Sequence, residues 1–111
     1  MKIKTSDLTL LALDWAVGYV RGEKLRILER QIVWPEDYSP STNWAQGGPI
    51  IEREEINMGT IDALNGPYWE AHMPYGMSDD FAEGPTPLIA AMRCYVASVL
   101  GDEVDIPEEL L

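Results

Sequence analysis

Leu8, Leu11, Ala12, Trp15, Ala16 and Tyr19 recur at spacings of three and four residues, which puts them on one face of a helix over residues 6–20. Thr5 or Ser6 offers a capping hydroxyl at its start, and Gly22 a stop at its end. The next apolar positions, Leu25, Ile27, Ile32, Val33 and Trp34, are mostly β-favouring types brought to an end by Pro35, so a single strand is expected. The pattern YSPSTNWAQGGPIIERE follows at residues 38–54. Ser41 or Thr42 can cap a helix there, but Pro49 lacks an amide donor and clashes with the Ala45 carbonyl in a continuous helix. A kink or restart at Gly47-Gly48-Pro49 is expected, with a second short piece over residues 50–55.

Residues 56–73, INMGTIDALNGPYWEAHM, read as two strands around the turn formers Asn65, Gly66 and Pro67. MPYGMSDDFAEGPTP, residues 73–87, reads as a long loop. Leu88, Ile89, Met92, Val96, Val99 and Leu100 then form the clearest amphipathic pattern in the chain, with Thr86 as cap, Pro87 in the first turn and Gly101 as terminator. The order helix, strand, helix, two strands, helix predicts an α+β fold, a small sheet covered by helices.

At 111 residues and 46% hydrophobic content the chain is sized for one domain. We read 1–101 as that domain and 102–111, GDEVDIPEELL without its glycine, as a solvated acidic tail. A chain this short leaves on the order of a third of its unfolded surface exposed, so a homo-oligomer is expected. The formal net charge of −11 opposes direct contact with nucleic acid and with anionic lipid. Cys94 has no second cysteine to pair with, which suits a reducing cytoplasm. Asp7 and Asp14 interrupt the N-terminal apolar run, so neither a signal peptide nor a membrane span fits.

Two expected helix starts, Ser41-Thr42-Asn43 and Gly84-Pro85-Thr86-Pro87, offer backbone amides, a hydroxyl and the positive end of a helix dipole, the elements that hold phosphate. Around the first lie Tyr38 and Trp44, able to stack on a base, Gln46, able to read a polar edge, and Gly47 and Gly48, which allow close backbone approach. Arg93, at the border of the last helix's apolar face, can reach an anion or an acid such as Glu52 or Glu54. These ten residues are the candidate ligand-binding set. No GxxxxGK[ST] or GxGxxG is present, so no cofactor motif is found. His72 is the single histidine, too few for an ordinary zinc site. Asp79, Asp80 and Glu83 are the nearest thing to a divalent-cation cluster, more simply read as solvated loop acids.

YSPSTNWAQGGPIIERE, the Trp69-Glu70-Ala71 step and GPTPLIAAMRCYVASVLGDEVDIPEEL together resemble the NinX-like family of lambdoid phage proteins, over nearly the whole chain. More loosely, their order is similar to phage proteins described as α-β-α sandwiches. The resemblance implies that fold, in a phage-encoded protein of the infected bacterium's cytoplasm, and carries neither an assigned activity nor catalytic residues. Gly47-Gly48-Pro49 departs from the looser group, whose helix runs on through alanines there.

The absence of a catalytic constellation favours binding over chemistry. The leading expectation is sequestration of a small nucleotide, such as a signalling nucleotide of bacterial anti-phage defence. The alternative is an acidic modulator that mimics DNA on a host enzyme. A metal-dependent nucleotide-cleaving enzyme using Asp79, Asp80 or His72 ranks last.

Overall fold

A computed structural model gives the fold over residues 1–23, 25–28, 31–34, 36–63, 66–74 and 81–111, with backbone alone considered for strand residues 26–28, 31–34, 36–37, 62–63 and 66–67. In chain order the elements are β1 (Lys2–Lys4), a 3-10 turn (Thr5–Asp7), α1 (Leu10–Val20), β2 (Arg26–Leu28), β3 (Gln31–Trp34) and β4 (Glu36–Asp37). Then come α2 (Trp44–Glu54), β5 (Asn57–Ala63), β6 (Gly66–His72), β7 (Phe81–Gly84), α3 (Pro87–Leu100), β8 (Glu103–Asp105) and a final 3-10 turn (Glu108–Leu110). The protein is α+β. Its described strands form three small antiparallel sheets, β1-β8, β2-β3-β4 and β5-β6-β7.

The first helix begins at Leu10 rather than at residue 6. The Thr5 hydroxyl, expected as a cap, donates instead to the Gly101 carbonyl at 2.6 Å, and the Thr5 amide donates to Asp102 O at 2.8 Å. Those bonds tie the segment to the far end of the chain, so it closes as a separate 3-10 turn. The buried side of α1 is Ala12, Leu13, Ala16 and Val17, and Tyr19 is 59% exposed. The apolar face is therefore turned by about one position from the expected one, because α1 packs on both α3 and β3. Gly22 stops the helix as expected: with φ of +71° it lets its own amide reach Tyr19 O and the Glu23 amide reach Gly18 O.

Where one strand was expected after residue 24, the chain makes a hairpin, with Ile27 opposite Ile32, and adds β4 beyond it. Pro35 lies outside the described residues. The second helix is capped by Asn43, whose Oδ1 accepts from the Ala45 amide at 2.9 Å, rather than by Ser41 or Thr42. It then runs as one helix through Pro49. Ala45 and Pro49 are both exposed, so solvent can satisfy the carbonyl that the proline leaves without a donor. The helix ends with Glu55 left-handed, the Glu55 amide on Glu52 O and the Ile56 amide on Ile51 O.

The expected pair of strands is found as β5 and β6, in register from Asn57↔His72 to Ala63↔Gly66. Gly66 and Pro67 belong to β6, and Asn65 lies outside the described residues. The expected long loop contains a third strand, β7, pairing Trp69 with Gly84 and His72 with Phe81. Alternation, not turn content, marks Phe81–Gly84, and four residues are too few to announce it.

Helix α3 is capped as expected, the Thr86 hydroxyl accepting from the Ile89 amide at 3.1 Å. Residues 88–96 are all buried, because α3 packs on the β5-β6-β7 sheet and also on α1 and α2. Only Val99 of the expected apolar face stands out, 57% exposed. The last ten residues are not a free tail. β8 pairs with β1, setting Lys2 opposite Asp105 and Lys4 opposite Glu103, and Val104, Ile106 and Leu110 are buried. The acidic side chains point outward as expected, on a backbone that belongs to the core.

Candidate functional site

Residues 38–48 form a joint, and most of its polar groups are already partnered. The Ser41 amide donates to Asp14 Oδ1 at 2.8 Å, the Ser39 amide to Gln46 Oε1 at 2.6 Å, and the Thr42 and Asn43 amides to Ser39 O. The Gln46 and Gly47 amides close the first turn on Asn43 O. Gly47 is buried against Pro40 and Leu88, so its close approach is to the protein's own backbone and core. Thr42, Asn43 and Trp44 are exposed, Gly48 is half-buried with room beside Trp44, and Tyr38 is buried. At the other expected helix start the Thr86 hydroxyl is occupied by its cap. At these two helix starts the amides of Ser41, Thr42, Asn43, Ala45, Gln46, Gly47, Ile89 and Ala90 donate within the fold.

The residue that sequence reasoning missed here is Asp14, noted only as a break in an apolar run. It is 3% exposed, and burial raises its carboxyl to about 6, opposed by its interactions with Ser41. The Ser41 hydroxyl oxygen is buried and closes no hydrogen bond among the described residues, and the Ser41 amide makes the contact to the carboxylate. Burial likewise pushes the Tyr38 phenol up to about 12, with Arg21 opposing and Glu23, Asp14 and Tyr95 adding to the rise. Tyr95 is raised for the same main reason, burial. Asp14 of α1, Tyr38 and Ser41 ahead of α2, and Tyr95 of α3 are thus buried polar groups, with Asp14 bonded to Ser41 and acting with Tyr95 on the Tyr38 phenol.

Arg93 stands apart from the other nine candidates. It lines an open cleft of about 690 Å³ together with Lys4, Thr5, Ser6, Tyr68, Phe81, Glu83, Asp102 and Glu103. None of the other nine does. Arg93 as a whole residue is 8% exposed, its Nε donating to Leu8 O and its Nη1 to Glu83 O, each at 2.8 Å. Among the described residues it has no carboxylate within ion-pair distance, so the expected pair with Glu52 or Glu54 is not formed. Burial lowers its pKa, with Tyr68 and Asp7 opposing; an arginine remains charged all the same.

The cleft floor is thus a cation with two N–H donors spent on carbonyls, of the five a guanidinium carries. Tyr68 and Phe81, 41% and 48% exposed, are the aromatic side chains of the lining, and Lys4 is a second cation there. The lining comes from both ends of the chain, β6, β7 and α3. The one signal in the sequence was an arginine set into an otherwise apolar helix; the remaining lining residues sit too far apart in sequence to be read as a group.

His72 lies with Nε2 3.5 Å from Glu70 Oε1 and its ring 5.8 Å from that of Phe81. Asp79 and Asp80 lie outside the described residues, and among the described residues no three potential metal ligands cluster. Cys94 is buried in α3. No helix among the described residues is long and apolar enough to cross a membrane.

A small α+β domain, with its N- and C-terminal strands zipped together beside a mixed-charge cleft, is the class that fold and site define. The family model for bacteriophage P22 NinX matches residues 4–99, and the chain belongs to that family. The match takes in the end of β1, α1, α2, α3 up to its last residue but one, and the sheet that β7 completes. None of the curated proteins compared with the chain matches it.

Proposed function

We propose that this phage accessory protein binds and sequesters a small nucleotide in the Arg93 cleft, without catalysis. The observation that carries the reading is Arg93 itself: a buried arginine without a carboxylate in ion-pair distance among the described residues, in a cleft whose lining also includes two aromatic side chains. A phosphate supplies the counter-charge for the guanidinium, and a base supplies the ring for Tyr68 or Phe81. The volume falls within the roughly 300–1,000 Å³ of small-molecule sites. Sequestration requires only tight binding and slow release, for which no nucleophile is needed. A signalling nucleotide of host anti-phage defence fits this role.

The test is thermal melting and calorimetry with a panel of nucleotides. A ligand at a hundredfold excess over its Kd adds about 2.7 kcal/mol to stability, a shift that melting resolves. Tyr68→Ala, an exposed position, should remove most of that shift. No shift with any nucleotide, or one that Tyr68→Ala leaves intact, overturns the reading.

The acidic-modulator reading keeps one supporting observation. Glu103, Asp105, Glu108 and Glu109 are exposed on a backbone held by β1 and by buried Ile106 and Leu110, a fixed array of negative charge. Glu108→Gln with Glu109→Gln would weaken such docking and leave nucleotide binding unchanged.

A further inference from the structure

The charges around the cleft limit what its ligand can carry. Two cations, Lys4 and Arg93, face three acids, Glu83, Asp102 and Glu103, so the lining has a small negative excess within a chain of net charge −11. The cations and acids are not scattered. Arg93 is on the floor, whereas Glu83, Asp102 and Glu103 are exposed, and Lys4 is held directly opposite Glu103 across the β1–β8 pair. One phosphate can sit on Arg93 with Lys4 within the same lining. A second or third phosphate finds no third cation in the lining, and the three acids there oppose each charge it adds.

Resting on the nucleotide reading above, we infer that the cleft selects a nucleotide carrying a single phosphate and rejects the polyphosphate of the same base. The fork of Arg93 that remains after its bonds to Leu8 O and Glu83 O takes the phosphate oxygens. Tyr68 and Phe81 take the base, and the acids act against the second and third phosphates.

Isothermal titration of the intact chain at low and moderate salt, with each 5′-monophosphate, its triphosphate and its nucleoside, tests the inference. The monophosphate of the preferred base should bind at least about tenfold more tightly than either its triphosphate or its nucleoside. Because Arg93 also holds Leu8 and Glu83, its removal risks the fold, so the decisive variant is elsewhere. Asp102→Asn with Glu103→Gln, both exposed, should shrink the monophosphate preference several-fold by improving triphosphate binding. A triphosphate that binds as well as the monophosphate, or a preference that the double variant leaves unchanged, overturns single-phosphate selection while nucleotide binding stands. A nucleoside that binds as tightly as its monophosphate removes the phosphate from Arg93. Failure of every nucleotide to bind overturns the underlying reading instead.

Discussion

Asp14 and Arg93 are both buried charges, and they resolve burial differently. Arg93 keeps its charge by donating to two carbonyls, whereas Asp14 accepts one backbone amide and is pushed toward the neutral form. The sign of the pH effect follows. A carboxyl whose folded value, about 6, exceeds its ordinary value of 3.8 binds its proton more tightly when folded. Its contribution is therefore full protection of the folded state at low pH, lost as pH rises from about 4 through 6. Above that window the ionised carboxylate costs on the order of 3 kcal/mol. Asp14→Asn keeps an oxygen for the Ser41 amide and removes the ionisation. Urea unfolding across pH 4–8 should show the variant more stable than the parent at pH 7.5, nearly equal at pH 4, and flat between. A parent that does not lose stability over that window refutes the assignment.

At the scale of elements, α2 shows how one glycine of a pair can be structural and its neighbour free. A Cβ at Gly47 would run into Pro40 O and the Leu88 side chain, which belong to the preceding loop and to α3. At Gly48 the nearest atom is Trp44 Cε3, at 3.9 Å. Gly47→Ala should therefore destabilise by about 2 kcal/mol or more through overpacking. Gly48→Ala should be neutral or stabilising by up to ~1 kcal/mol, the helix-propensity gain. Thermal denaturation of the two variants side by side checks this, and equal effects would contradict the docking described. The Gly-Gly-Pro step was legible as special, but its reason was not. Proline's lost hydrogen bond is local and pointed to a break, while exposure of the helix face that carries it, which makes the loss tolerable, depends on how α2 sits on α3.

The whole molecule is closed by its termini. Val104, Ile106 and Leu110 are 4%, 0% and 6% exposed, and burying each such side chain is worth roughly 1.5–3 kcal/mol. Set against the ~5–15 kcal/mol of a typical domain, their loss is large. Truncation after Gly101 should abolish a cooperative thermal transition or lower it sharply, and should expose the chain to rapid limited proteolysis. A truncated chain melting within a few degrees of the parent would make the segment an appendage after all. The same closure builds the cleft, since Lys4 and Thr5 meet Asp102 and Glu103 there.

What the sequence determined by itself was local. The capped and glycine-terminated last helix, the Gly22 stop, the β5–β6 pair and the α+β class follow from periodicity, caps and turn chemistry between residues a few positions apart. What only the tertiary structure decided was long-range. Thr5 gave its hydroxyl to Gly101 rather than to a helix start, β7 needed β6 beside it to become a strand, and the acidic end was drawn into the core by β1. The site divides the same way. Arg93 was visible as a charge in an apolar stripe, but Lys4, Tyr68, Phe81 and Glu103 become its neighbours only when both ends of the chain meet α3 and its sheet. Hydrogen bonds and burial between residues a hundred positions apart leave no periodicity to read, because each partner's pattern is complete without the other.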